Sequence, residues 1–258
     1  MIAWMTALVA VALAVAALEL LVVRRALADD GVFAWPVLRR DYAPWLRAIA
    51  GVLFSYRGTL AILVVQLAAA LALLATATSD SLLGAISAWT AAAASLAISV
   101  RFRGSYNGGS DSMLLAVLIG LAVARTATDV SIVRGALAYV AVQLVLSYVL
   151  AGIAKLRDPA WRAGRALALL VELPQYRVPR RLVAIAKRPS IGRLGTWAIL
   201  AFELAFPIAF LHPTACIAML AIGAAFHVAN AAVFGLNRFL WTWIAAYPAL
   251  IYCANLRA

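Results

Sequence analysis

The sequence predicts an all-α integral membrane protein, a polytopic bundle of about eight transmembrane helices joined by short loops, with a basic segment at the membrane interface. Two observations predict this class: 66% of the 258 residues are hydrophobic, and only 12% are charged. A soluble domain is nearer half apolar and a quarter charged. The composition therefore excludes a disordered chain, a secreted disulfide scaffold and an ordinary cytosolic enzyme.

Apolar runs between clusters of charge mark the spans, since crossing a bilayer takes about 20 apolar residues. We predict spans at residues 2–23, 59–77, 82–100, 112–127, 135–154, 195–211, 214–234 and 239–255. The first is interpreted as a retained span, because it lacks a basic start and is too long for the apolar core of a signal peptide. Residues 1–258 are therefore predicted to form a single transmembrane domain.

The charge is strongly basic, with 22 Lys and Arg against 10 Asp and Glu, a formal net charge of +12. The basic residues fall in alternate loops, most densely in 24–58 and 155–194. The positive-inside rule then predicts that these loops are cytoplasmic and that both termini lie outside. Tryptophans and tyrosines among the arginines are typical of the membrane interface. The excess charge thus indicates the lipid bilayer as partner and not nucleic acid.

Ionisable side chains inside the spans are the candidate functional residues, because each is costly in lipid and needs a partner or a role. Glu203 lies mid-span, and Pro207 four residues later removes a backbone donor to its carbonyl. It is either half of a structural ion pair or a functional carboxylate. Lys155 ends the fifth span and shares a helix face with Tyr148 and Gly152. It is either a snorkelling lysine or a base, since an amine among apolar groups is neutral part of the time.

The seventh span carries His227 and Asn230, and this histidine is either a hydrogen-bonded core residue or a site residue. The chain has only two histidines, whereas a zinc site needs three or four ligands, so no metal site is predicted. Cys216 and Cys253 form no CxxC pair, which disfavours a dithiol redox enzyme. The Asn-Gly-Gly-Ser turn at 107–110 is either a purely structural turn or the edge of an active site.

The stretch from Gln143 to Gly164 resembles the HTTM family, which includes the membrane part of the vitamin K-dependent γ-carboxylase. The shared pattern is a tyrosine, an Ala-Gly pair, a Lys-Leu pair, then a tryptophan and a glycine, here Tyr148, Ala151-Gly152, Lys155-Leu156, Trp161 and Gly164. The resemblance extends over roughly residues 101–250. Further matches are an acidic residue at Glu203, a Phe-His pair at Phe226-His227, an asparagine at Asn230, and an Asn-Gly-Gly loop beginning at Asn107.

The resemblance implies a small bacterial-type member without the lumenal domain of the carboxylase, in the bacterial cytoplasmic membrane. Residues 101–250 would form the carboxylase-like core, after N-terminal spans and an interfacial loop in 1–100. In the carboxylase, a lysine matching Lys155 deprotonates reduced vitamin K, and oxygen turns that hydroquinone into a strong base. The base removes a proton from a peptide glutamate, to which carbon dioxide adds.

By this resemblance the chain is expected to carry out quinol-dependent base chemistry on a peptide, as a carbon–carbon lyase of the carboxylase kind. The expected catalytic residues are Lys155, Glu203 and His227. A reduced, vitamin K-like naphthoquinone is expected to bind at Tyr148, Asn107, Asn230 and Trp161, and no metal is expected.

Two other functions stay open. The chain is alternatively a non-catalytic membrane partner in the maturation or export of a secreted peptide or toxin. A small-molecule transporter is a weaker alternative, because broken helices and a midplane carboxylate also suit transport. Lys155 distinguishes the enzyme from the non-catalytic partner, since a snorkelling lysine tolerates replacement by arginine and a proton acceptor does not.

Overall fold

The computed structural model describes residues 1–104, 106 and 108–256, and these form helices and turns without any strand. The α-helices are α1 Ile2–Val22, α2 Trp35–Leu38, α3 Pro44–Leu53, α4 Tyr56–Ala75, α5 Leu82–Arg101, α6 Gly109–Thr126, α7 Val130–Arg157, α8 Pro159–Arg162, α9 Ala166–Leu170, α10 Arg180–Ala186, α11 Pro189–Ala205, α12 Pro213–Phe234 and α13 Asn237–Asn255. Short 3₁₀ helices cover Arg24–Leu27, Arg39–Asp41 and Phe206–Phe210. The predicted all-α class is confirmed.

Among the described residues, seven helices are long and apolar enough to cross a membrane. They are Ile2–Val22, Tyr56–Ala75, Leu82–Arg101, Gly109–Thr126, Val130–Arg157, Pro189–Phe210 and Pro213–Phe234. The chain is therefore an integral membrane protein. The eighth predicted span forms α13 but is not among the seven, because this helix starts with Asn237 and Arg238 and contains several tryptophans and tyrosines. Much of α13 is buried within its own part of the protein.

The contacts divide the chain into two compact units, Met1–Ala136 and Leu137–Ala258. In the first unit α1 packs on α4, α4 on α5, α5 on α6, and α6 returns to α1. This arrangement closes a four-helix bundle. Its centre is filled by aliphatic side chains with no exposed surface, among them Met5, Leu13, Leu63 and Leu121.

A fully buried arginine ties the interfacial loop of the first unit together. The Arg101 guanidinium donates to the carbonyl oxygens of Phe33, at 3.0 Å, and Phe54, at 3.3 Å. Phe54 follows the last residue of α3, where carbonyl groups lack helical partners. Arg101 thus provides a hydrogen-bond donor for a carbonyl group at the end of α3, and it holds the chain at Phe33 in place.

The second unit is organised around a hairpin of α12 and α13. Gly235 ends α12 in the left-handed conformation, with φ 70°, which glycine adopts without strain. Helix α11 packs on α9 and α10, and it continues into the 3₁₀ helix Phe206–Phe210, which packs on α12 and α13. The break after Ala205 coincides with Pro207, whose ring cannot donate to the helix ladder. These elements and the C-terminal part of α7 carry the candidate site.

Candidate functional site

A buried ion pair joins two of the predicted catalytic residues. Lys155 lies in the last turn of α7, and its Nζ is 2.7 Å and 2.8 Å from the two carboxylate oxygens of Glu203. The carboxylate is almost completely buried, with 3% of the side chain exposed, whereas Lys155 is 25% exposed. The lysine therefore neutralises a buried negative charge, and part of its own side chain remains exposed.

A glycine allows α7 to approach Glu203. A Cβ atom at Gly152 would lie 2.9 Å from Leu204 Cδ2 and 3.2 Å from the Cβ of Glu203. Both distances are shorter than ordinary van der Waals contact. Gly152, one turn before Lys155, therefore sets the closeness of the two helices and accounts physically for the Ala-Gly pair in the motif.

Lys155 also has an aromatic neighbour, Trp161. Its ring centroid is 5.3 Å from Lys155 Nζ, within the range of a cation–π interaction. The ring is positioned by α8, because the Asp158 carboxylate accepts hydrogen bonds from the N–H groups of Ala160 and Trp161, at 2.7 Å and 3.3 Å. The Lys155 amine thus has both a carboxylate and an aromatic ring as neighbours.

An apolar cavity of about 520 Å³ lies beside this lysine. Its polar lining residues are Lys155, Trp161 and Asn230. The remaining walls are largely aliphatic and aromatic and come from α9 to α12, with Leu170, Ile185, Ile199, Val233 and Phe234 among them. The volume is in the range of small-molecule sites, which are typically apolar with a few fixed polar groups. The cavity can therefore hold a small apolar molecule beside an amine.

A second polar cluster lies in the core of the same unit. The Tyr148 hydroxyl is 2.7 Å from His227 Nε2 and 3.3 Å from the Tyr247 hydroxyl. All three side chains are buried, and the Tyr148 ring stacks on Phe206 with centroids 3.9 Å apart. Since Tyr148 is on α7, His227 on α12 and Tyr247 on α13, the cluster fixes the relative register of three helices.

Gly223 makes room for this cluster. A Cβ atom there would lie 2.6 Å from the Tyr247 hydroxyl and 3.1 Å from the Tyr148 hydroxyl. The first distance is shorter than side chains tolerate and the second is tight, so a larger residue displaces the Tyr247 hydroxyl.

Gly223→Ala is therefore expected to lower the free energy of unfolding by about 2 kcal/mol, the usual cost of an overpacked core. The measurement is thermal unfolding of the detergent-purified protein. Gly135→Ala is the matched control, because a Cβ atom on this helical glycine meets nothing within 4 Å. Equal stability of the two variants would contradict the role given to Gly223.

The structure brings some of the predicted site residues together and separates others. Lys155, Glu203 and Trp161 are in contact, and Asn230 lines the cavity beside them. Tyr148 and His227 belong to the second cluster. Asn107 lies outside the described residues, so its predicted role stays a prediction.

Sequence reasoning missed Tyr247 and the aliphatic walls contributed by α9 and α10. Tyr247 gave a usable signal, since a tyrosine inside an apolar helix usually needs a hydrogen-bond partner. In α10, Leu182, Ile185 and Ala186 have the i, i+3, i+4 spacing of one helix face. That spacing indicates an apolar face on an otherwise basic segment.

A comparison with family models finds a match to the HTTM domain over residues 121–255, slightly more than half of the chain. The matched range contains the ion pair, Trp161, the second cluster and Asn230. No curated protein matches the chain. No solved structure matches it either.

Proposed function

Because the chain belongs to the HTTM family of carboxylase-related membrane proteins, we propose that its second unit binds a quinol and uses Lys155 as a base in the modification of a peptide. The observation that carries this proposal is the position of Lys155. The amine lies at the edge of an apolar cavity, and its other side is paired with the buried carboxylate of Glu203.

The cavity suits a reduced naphthoquinone in size and chemistry. A volume of about 520 Å³ accommodates a bicyclic ring, and the Trp161 indole offers a flat surface against it. The Asn230 amide and the Lys155 amine are hydrogen-bond partners for ring oxygens. When bound, a reduced naphthoquinone supplies an acidic hydroxyl group and, after reaction with oxygen, a stronger base than any side chain.

The ion pair supplies the first proton acceptor. Transfer of one proton from the Lys155 ammonium to Glu203 leaves a neutral amine and a neutral carboxylic acid, with no change in total charge. The amine then accepts a proton from a hydroxyl group in the cavity and becomes ammonium again. Glu203 keeps its proton, and the positive charge of Lys155 stabilises the negative charge that results in the cavity.

The binding step is tested by filling the cavity. Ala229 lines the cavity on α12, and Ala229→Trp is expected to weaken binding of a naphthoquinone at least about tenfold, because the indole occupies the ring's place. Ala225→Trp is the matched control, since Ala225 is exposed on the same helix one turn earlier. Equilibrium dialysis in detergent measures naphthoquinone binding by the two variants. Binding that survives Ala229→Trp, or that both variants lose equally, would refute a quinol site in this cavity.

A further inference from the structure

The segment 157–188 forms a strongly basic surface. It connects the end of α7 with the start of α11, and since both belong to candidate spans, the segment lies at one end of them, at the membrane surface. Its basic residues are all exposed: Arg157, Arg162, Arg165, Arg177, Arg180, Arg181, Lys187 and Arg188. Its acidic residues are Asp158 and Glu172. The surface therefore presents a concentrated positive charge.

Apolar side chains are exposed among these cations. Leu169 is 51% exposed, Leu182 39% and Ile185 43%. Helix α10 begins with Arg180 and Arg181 and is followed by another two basic residues, so its apolar turn is flanked by charge at both ends. Cations beside partly exposed aliphatic groups match a lipid leaflet, whose phosphates attract the cations and whose acyl region accepts the aliphatic groups. A soluble acidic partner would match the charge alone.

The same helix forms a wall of the cavity. Leu182, Ile185 and Ala186 line it from α10, while Leu170 and Val171 line it from the neighbouring α9. Helix α9 is tied to α11 by a hydrogen bond from the Leu167 N–H to Thr196 Oγ1, at 3.2 Å.

The described ion pair of the α9–α10 region joins Lys187 to Glu172 at 2.7 Å, with both side chains about half exposed. Exposed pairs of this kind contribute little to stability. This pair therefore adds little to the packing that holds α10 on α9 and α11.

We propose that residues 157–188 bind the anionic headgroups of the leaflet on which they lie, and that this binding holds α10 over the cavity. The lipid phosphates interact with the arginines at the start of α10, and the aliphatic side chains remain against the cavity and the acyl region. Lipid binding by this segment does not depend on the proposed quinol chemistry. Its importance for that chemistry, through the position of α10 at the cavity, rests on the proposed function.

Native mass spectrometry of the detergent-solubilised protein tests the lipid step. Phosphatidylglycerol is expected to bind at least about tenfold more tightly than phosphatidylcholine, because only the former carries net negative charge. Arg180→Gln combined with Arg181→Gln is expected to weaken phosphatidylglycerol binding about 25-fold, at about fivefold for each cation. Arg24→Gln combined with Arg25→Gln removes two exposed charges elsewhere and is expected to have little effect.

Hydrogen exchange in lipid nanodiscs tests the effect on α10. Adding phosphatidylglycerol to phosphatidylcholine discs is expected to slow amide exchange in residues 166–186 of the wild type and of the Arg24/Arg25 variant. Exchange in the Arg180/Arg181 variant is expected to stay unchanged. Exchange that does not respond in the wild type overturns the proposed hold on α10.

Three other results overturn the lipid site: equal binding of the two lipids, equal losses in the two double variants, and displacement of the lipid by inorganic phosphate or by an acidic peptide at matched ionic strength. Neither measurement uses a quinone. Failure here is therefore distinguishable from failure of the proposed chemistry, which the naphthoquinone experiments report.

Discussion

Lys155→Ala is expected to lower formation of the naphthoquinone epoxide from a reduced naphthoquinone and oxygen by at least about 100-fold, the usual contribution of a positioned base. Quinol-dependent base chemistry of the proposed kind leaves this epoxide as its product. The variant removes the amine that faces the cavity and leaves the carboxylate of Glu203 buried behind it. Liquid chromatography of the quinone products measures the rate, with purified protein in detergent.

Lys187→Ala is the matched control for this loss. Lys187 is also paired with a glutamate, at the same distance of 2.7 Å, but both partners are about half exposed. We expect the control to keep the wild-type rate. A Lys155→Ala variant as active as the control would show that Lys155 is a snorkelling lysine and not the base.

Glu203→Leu is expected to destabilise the protein by about 3 kcal/mol, because it leaves Lys155 without its carboxylate partner in an apolar environment. The double variant Lys155→Met with Glu203→Leu is expected to regain most of that stability, since two apolar side chains replace the pair. It is expected to remain inactive. Thermal unfolding in the same detergent, together with the epoxide assay, separates the structural from the chemical role of the pair.

Glu172→Leu gives the comparison for an exposed pair and is expected to change stability by less than about 1 kcal/mol. The account is contradicted if the double variant is no more stable than Glu203→Leu. It is also contradicted if the double variant is active, because the pair would then be dispensable for the chemistry.

The sequence was sufficient to predict the fold class and to predict that Glu203 needs a partner. A carboxylate in an apolar span requires a partner, and this requirement follows from the cost of a charge in lipid. The identity of the partner does not follow from it. Lys155 and Glu203 are 48 residues apart, and they meet because Gly152 lets two helices approach closely, which a hydropathy pattern does not contain.

Tyr148 illustrates the limit of reasoning from one helix face. The i, i+7 spacing places it on the face of Lys155, and the resemblance implies that Tyr148 binds the cofactor on which Lys155 acts as a base. Seven residues correspond to a rise of about 10 Å, and helical side chains tilt towards the N-terminus together, so the two polar groups stay separated. The Tyr148 hydroxyl therefore bonds to His227 and Tyr247, while Lys155 bonds to Glu203.

The sequence also does not show that α9 and α10 form walls of the cavity. These helices are only five and seven residues long and lie in a basic stretch. The many basic residues of that stretch predict a segment at the membrane surface. The spacing in α10 indicates an apolar face, but only the packing of α9 and α10 on α11 shows that this face borders a cavity.

The central claim is that Lys155 accepts a proton, and Lys155→Arg tests it most directly. Arginine keeps the positive charge and provides donors for Glu203, but it is not deprotonated in proteins. With a reduced naphthoquinone and oxygen, the wild type is expected to form the epoxide and Lys155→Arg is expected to form none above background. Epoxide formation by Lys155→Arg at the wild-type rate would contradict the account and favour a non-catalytic membrane partner.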